Sequence, residues 1–379
     1  MAIEIREHVP GKDLRAFIDA GYEVFRTDPA WVPPLEFELK ERLTPSKNPF
    51  FSRGEVTLFT AWKDGRLVGR CSAQVDREHL RVHKDATGFF GFFDTIDDDE
   101  VGKALIAAAE KWLAAKGMKR MRGPLSLYIN EEIGTLIEGF EHPPHIMMSH
   151  SRTWQDRVAK ASGLDKIKDL YAWRFQIGKI PERALKAWKD VNALPEIRLR
   201  TCDLGNIKRE LDIVMDIYND AWEDNWGVVP ALPDEVAKVA ADLRLILVPD
   251  LAFIAELDGK PVGMCITLPN VNESIADLGG KLLPLGWLKL LWRLKVKHPK
   301  TGRLMMLGIR KELRGVRKYA GLSMAMYVEI AQRAQRLGYE WGELSWTLED
   351  NRPINAGITA MGAKIYKKYR VYEKAVAGA

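Results

Sequence analysis

The chain alternates between two hydrophobic periods. Short runs that alternate or are continuously apolar read as strands, and stretches with apolar residues every three to four positions read as helices. In the first half the pattern predicts a strand at Ile3–Glu7, a helix near Lys12–Phe25 and a second helical piece ending about Leu43. A strand follows near Gly88–Phe93, then a helix from about Asp98 to Lys116, stopped by Gly117. The half closes with a strand over Met118–Arg122, a helix near Trp154–Ser162 and a strand near Leu170–Ile177. A piece with helical period covers roughly Gly178–Leu194. The second half then repeats the order: a strand at Ile197–Thr201 and helices near Gly205–Trp222 and Asp234–Leu245. The apolar run Leu304–Ile309 reads as a buried strand. A cationic turn follows it (Arg310, Lys311, Arg314, Arg317, Lys318), then a helix with Leu322, Met326, Ile330 and Ala334 four apart on one face. Strands at Trp341–Leu348 and Lys364–Val371 end the pattern. A basic turn running into a helix N-terminus is suited to an anion. Free N–H groups and the helix dipole point at the same spot as the cationic side chains.

The two halves also match residue by residue. FTAWKDGRLVGRC (Phe59–Cys71) aligns without a gap on FIAELDGKPVGMC (Phe253–Cys265), at an offset of 194. Asp64-Gly65 and Asp258-Gly259 read as the turns of two equivalent hairpins, because glycine accepts positive φ. Upstream, Tyr22, Trp31 and Pro33 echo Tyr218, Trp226 and Pro230 in the same order. Two matches at nearly one offset indicate duplication. We therefore expect domains at 1–178 and 195–379 joined by a linker at 179–194. Each is an α/β (α+β) layer, a mixed central sheet flanked by helices.

Composition narrows the function. The 379 residues are 46% hydrophobic and 29% charged, as in a globular protein. The 57 basic residues stand against 52 acidic ones, for a net charge of +5, which argues against a nucleic-acid binder. Cys71, Cys202 and Cys265 are scattered and form no CxxC pair. That fits reduced thiols in a cytoplasmic protein rather than disulfides or a structural zinc site. The polar N-terminus, MAIEIREHVPGKD, does not read as a signal peptide, and no apolar run reaches the length of a membrane span.

With the element order and the turn in hand, the second half resembles the GCN5-related N-acetyltransferase (GNAT) superfamily, and the chain resembles a tandem member of it with a degenerate first copy. The family's Arg/Gln-Gly-x-Gly-x-Gly/Ala motif is met by Arg314-Gly315 and Gly321 leading into Leu322 and Met326. Five residues separate these glycines where the family has three, and the middle glycine is missing. The resemblance implies an N-acyltransferase using acetyl-CoA or another acyl-CoA, with no metal. It also implies that Arg314, Gly315, Val316, Arg317, Lys318 and Gly321 hold the coenzyme's phosphates. Backbone N–H groups of Leu307, Gly308 and Ile309 would polarise the thioester carbonyl. Asn351 and Gly362 fill the family's second marker. The place of the family's usual tyrosine acid falls at Ile358, so Tyr366, Tyr369 and Tyr372 become substitutes, Tyr366 first among them. Alternation on Trp341–Leu348 puts Glu343, Ser345 and Thr347 on one face, which makes Glu343 the first candidate base and Glu349 the second.

In the first half the equivalent turn, Asp94 to Glu100, holds five acids and should repel phosphate. We expect it to keep the scaffold without the site. The stretch 282–298 (LLPLGWLKLLWRLKVKH) mixes leucine and tryptophan with cations and is read as a lid or packing helix in preference to membrane contact. The histidines in EHPPHIMMSH (Glu141–His150) lack metal-ligand spacing. The expected acceptor is a small-molecule or peptide amine, with no nucleic acid partner. Two alternatives stay open: a non-catalytic acyl-CoA-binding scaffold, and an aminoacyl transferase of the peptidoglycan-branching type.

Overall fold

The computed structural model describes residues 2–377. The chain falls into two compact units that exchange segments along the sequence. Of the described residues, unit 1 takes 2–170, 275–288 and 367–377; unit 2 takes 171–274 and 289–366.

In chain order the elements of unit 1 are β1 (Ile3–His8), α1 (Arg15–Phe25), α2 (Glu36–Arg42), β2 (Gly54–Lys63), β3 (Arg66–Asp76), α3 (Arg77–His83), β4 (Thr87–Thr95), α4 (Asp99–Ala115), β5 (Arg120–Gly123), β6 (Thr135–Glu138) and α5 (Gln155–Ala161). β7 (Asp165–Gln176) starts in unit 1 and ends in unit 2. Unit 2 continues with α6 (Glu182–Asn192), β8 (Ile197–Thr201), α7 (Ile207–Trp222), α8 (Pro233–Leu243), β9 (Ala252–Leu257) and β10 (Lys260–Pro269). The short helices α9 (Asn272–Ile275) and α10 (Gly286–Trp292) lead to β11 (Thr301–Ile309), α11 (Leu322–Arg336), β12 (Trp341–Leu348) and α12 (Arg352–Ala360). β13 (Lys364–Ala375) begins in unit 2 and passes into unit 1, where it runs antiparallel to β5 and β6.

The sheet of unit 1 runs β1-β2-β3-β4-β5-β13, antiparallel except where β4 and β5 pair in parallel. In unit 2 the order is β7-β12-β11-β10-β9-β8, with β11 and β12 the corresponding parallel pair. The hairpins predicted from the repeat are β2–β3 and β9–β10. Asp64 and Gly65 turn the first at φ 52° and 75°, and Asp258 and Gly259 turn the second at φ 48° and 76°. Positive φ at both central residues is the turn whose twist suits a hairpin.

The repeat extends into packing. Phe59 faces Cys71 across β2–β3, and Phe253 faces Cys265 across β9–β10. Both pairs lie in the core under the long helix after the parallel strand: α4 in unit 1, with Val101, Leu105 and Ala109, and α11 in unit 2, with Leu322, Met326 and Ile330. On the opposite faces Leu58 packs with Phe17 and Ile18 of α1, and Ile254 and Met264 pack with Ile217 of α7. Period-two alternation of strand side chains thus gives each sheet two apolar faces and a helical layer on both sides. All three cysteines are free and buried. Burial pushes their thiols up, Cys202 to about 12.

Three predicted packings change. Tyr369 and Tyr372, read as substitutes for the acid beside Tyr366, are fully buried in unit 1, where the Tyr372 hydroxyl donates to Asp156 at 2.6 Å. Stretch 282–298 leaves seven of its large apolar side chains exposed while Leu282, Leu290 and Leu294 are half-buried, and α10 has no fully buried side chain. The strand at β11 starts three residues earlier than its apolar run, at Thr301, because Thr301–Leu304 are held by β12.

Candidate active site

The site in unit 2 begins where β11 leaves β12. Their pairing covers Thr301–Leu304 against Trp341–Leu344 and goes no further among the described residues. At the same point the register of β11 against β10 slips: Ile266 faces Met306 and Thr267 faces Leu304, so Met305 is the extra residue of a bulge. Beyond the bulge β11 stays on β10 and turns one edge toward the gap. The Arg310 N–H donates to Val262 O at 2.9 Å, so by the two-residue period the N–H groups of Leu307 and Ile309 point the other way, toward the gap. Gly308 is required for a different reason. Trp222, at the end of α7, lies against it, and a Cβ there would stand 2.3 Å from the indole ring.

The turn after β11 is built from two short 3-10 segments, Lys311–Leu313 and Arg317–Tyr319, with Gly315 between them at φ 81°. α11 then starts at Gly321, which offers no side-chain cap. Among the described residues the N–H groups of Gly315, Arg317, Lys318 and Leu322–Met324 have no protein acceptor. Uncapped first-turn N–H groups are what an anion at a helix N-terminus uses. The cations are less free than their sequence suggests. Arg310 pairs with Asp216, Lys311 with Glu223 at 2.7 Å and Asp224 at 2.6 Å, and Lys318 with Glu196 at 2.5 Å. Arg314 donates to Ala221 O at 2.5 Å and Ile309 O at 3.3 Å, tying the turn to the ends of α7 and β11. Arg317 is exposed and has no ion-pair partner among the described residues. The acids on Arg310 and Lys311 are themselves 68–80% exposed and can swing away, so those pairs hold the turn only weakly.

At the apex of the gap, on the α7 face, the buried Arg303, Glu343 and Ser345 form a network with the half-buried Tyr366. Glu343 is fully buried. Its Oε1 accepts from the Ser345 hydroxyl at 2.5 Å, and its Oε2 accepts from the Tyr366 hydroxyl. Arg303 donates from Nε to Ser345 Oγ at 2.8 Å and lies 3.9 Å from Glu343 Oε1. The reason is register: Arg303 and Glu343 are direct partners in the parallel pair, so their side chains leave the sheet together. A buried carboxylate needs this many donors to remain charged, and removing one partner would leave the others uncompensated.

The structure thus brings Glu343 and Tyr366 together. Glu349 lies past the end of β12, half-buried. Asn351 caps α12, its Oδ1 accepting from Ile354 N at 3.4 Å. Ile358 is core, in the same cluster as Tyr327. Sequence reasoning missed Arg303. A single arginine at the head of an apolar run carries no signal until the register against Glu343 is known.

On the α11 face of the same strands lies a cleft lined by Phe175, Leu304, Tyr327, Ile330, Ala334 and Trp341, with Glu343 at its border. Its walls are almost wholly apolar.

Two relatives span nearly the whole chain. The bacterial ceramide synthase of Caulobacter vibrioides (strain NA1000 / CB15N) is 40% identical over 367 residues, 96% of this chain and 95% of its own length. Protein YghO of Escherichia coli (strain K12) is 38% identical over 373 residues, 98% and 95% respectively. The chain belongs to their family, and its fold is that of the GNAT superfamily. A tandem GNAT protein from the clavulanic acid biosynthesis pathway superposes with a TM-score of 0.59, at 13% identity and over 100% of both chains. A GCN5-related N-acetyltransferase from Sphaerobacter thermophilus gives 0.53, at 14% identity, over 99% of this chain and 96% of the other. No family model matches the chain. The chain thus shares the fold of these GNAT structures. Which of its residues carry chemistry has to be argued from the site.

Proposed function

We propose that this tandem GNAT protein is an N-acyltransferase that moves a long-chain acyl group from coenzyme A to the amino group of a long-chain amine. The observation that carries this reading is the Glu343–Tyr366 pair at the apex of the β11–β12 gap. The nitrogen attacks the thioester carbon, the C–S bond breaks, and the proton lost by nitrogen ends on the thiolate. Glu343 is fully buried, so the nitrogen's proton reaches it through the hydroxyl of Tyr366 or Ser345. Tyr366 gives its own proton to the departing sulfur and regains one from Glu343. The N–H groups of Leu307 and Ile309 face the gap and suit the oxyanion. The uncapped start of α11, with Gly315, Val316, Arg317 and Gly321, suits the diphosphate, and the apolar cleft suits an acyl tail. Ceramide is the amide of a long-chain base, so the name of the 40% identical relative supports both a lipid amine and a long acyl chain.

The test is thiol release from acetyl-CoA and palmitoyl-CoA with and without a sphingoid base. Tyr366→Phe and Glu343→Gln should each lose about 100-fold or more in kcat with the long-chain pair. Both should keep the thermal stabilisation by coenzyme A, which at a hundredfold excess over Kd is about 2.7 kcal/mol. Arg314→Glu should lose that stabilisation. Full activity in both the Tyr366 and Glu343 variants would remove this site from the chemistry.

A further inference from the structure

Half of the large hydrophobic side chains that the described residues expose sit in one stretch of 14 residues. They are Leu283 (80% exposed), Leu285, Trp287, Leu288, Leu291, Trp292 and Val296 (63%). Elsewhere such residues are scattered singly, which is ordinary for a protein surface. A contiguous group of this kind marks an interaction site. The charge of the same stretch is just as uneven. Residues 281–300 contain Lys281, Lys289, Arg293, Lys295, Lys297 and Lys300 and no acid. These six account for the whole net charge of the protein, since the remaining chain carries 51 basic against 52 acidic residues.

The local structure presents both features at once. Residues 286–292 form α10 and 293–297 a π-helical turn, so the segment is one short helical rod. Trp287 with Leu291, Leu288 with Leu291, and Leu288 with Trp292 are i, i+3 or i+4 neighbours. Lys295 and Lys297 are exposed on the following turn. Arg293 is only half-buried and donates to Ser274 O at 2.8 Å, which anchors the rod to the fold. The segment is too short to cross a bilayer, and no described helix is long and apolar enough to do so.

We propose that the rod at 283–297 docks the protein on an anionic phospholipid surface. Leucine and tryptophan would enter the headgroup–acyl boundary in the plane of the membrane, while the lysines stay at the phosphate level. This is the arrangement that interfacial helices use. Commitment to a lipid surface, rather than to a second copy of the chain, rests on the charge. A self-complementary contact of two such rods would set the exposed Lys295 and Lys297 of one against the same lysines of the other, whereas an anionic bilayer meets them with opposite charge. The inference is independent of the proposed reaction, and its readout is binding alone.

The test is co-sedimentation of the full chain with vesicles of phosphatidylcholine, with and without phosphatidylglycerol. Wild type should bind the anionic vesicles and release as salt is raised. Each exposed cation near such a surface is worth about 1 kcal/mol, so Lys295→Gln with Lys297→Gln should weaken binding by about 30-fold. Trp287→Ser with Trp292→Ser should abolish it. All four side chains are exposed, so the melting temperature should not move in either variant, and circular dichroism checks this. Absence of binding by the wild type overturns the proposal, as does binding left intact by both double variants. Self-association in light scattering that the tryptophan variant dissolves, without vesicle binding, assigns the rod to a second copy and overturns it too.

Discussion

The turn after the first parallel strand exists twice in this molecule, with opposite outcomes. In unit 1, β4 runs into α4 through Asp94–Asp98, and each acid is already satisfied. Asp94 pairs with Arg70 at 2.7 Å, and Asp98 pairs with Lys63 at 2.6 Å and caps Glu100 N at 3.0 Å. Asp97 and Asp99 both pair with Arg157. The helix N-terminus is closed by its own side chains. In unit 2 the equivalent helix begins at Gly321 with no cap. The gaps differ as well. Beyond the parallel pairing of β4 with β5, Leu125 folds back over β4: its N–H donates to Phe90 O at 2.7 Å, and its carbonyl accepts from Gln74 Nε2 at 2.6 Å. A Cβ on Gly91 would lie 1.9 Å from that carbonyl. The two units thus share a scaffold, while capping and plugging close in unit 1 the helix start that unit 2 leaves open. The lesson is that a helix N-terminus becomes a binding site only where the chain declines to cap it.

The largest expected effect separates plug from turn. Gly91→Ala drives a methyl into a backbone carbonyl that cannot swing aside and should cost about 3 kcal/mol or more. Gly315→Ala meets nothing within 4 Å and carries only its positive φ, a cost of roughly 1–2 kcal/mol. Urea titration of both variants checks the contrast; equal losses would mean that the space over Gly91 is not filled.

Acid should strike the units unequally. Six of the seven histidines lie in unit 1, and burial pushes His79 down to about 4 and lowers His150, against the opposing pull of Asp85 and Asp28. A histidine whose folded pKa is depressed contributes stability that is present above its unfolded value near 6.5. That stability is lost as pH falls toward 4, because the unfolded chain binds the proton more readily. His79→Gln should flatten the stability profile over this window by on the order of 2 kcal/mol relative to wild type. Chemical denaturation at pH 7 and pH 4.5 measures it, and parallel profiles would refute it.

The smallest effect probes the cap itself. Asp98→Ala should cost about 1 kcal/mol through loss of the cap and of the Lys63 pair, as seen by thermal melting. A neutral result would show that α4 does not depend on its acidic start.

Much of this was legible from residues alone. Hydrophobic period located nearly every helix and strand, and Asp-Gly at an offset of 194 located both hairpins, because turn chemistry and alternation are local properties. The same reading named Glu343 and Tyr366, although nothing in the sequence says that they touch. Long-range register decided what local pattern could not. Arg303 joins Glu343 only because Thr301–Leu304 pair in parallel with Trp341–Leu344. Lys311 and Lys318, cationic in sequence, spend their charge on Glu223, Asp224 and Glu196, which lie 80 or more residues away along the chain. Residues 275–288 and 367–377 belong to the first compact unit though they follow the second half's hairpin, since contacts and not chain order define a unit. The sequence by itself determined the elements, their duplication and the candidate chemistry, all of which depend on neighbours a few residues apart. Only the tertiary structure decided which charges are spent, which helix start is left open and which side chains meet at the apex, because those follow from pairings that no local pattern encodes.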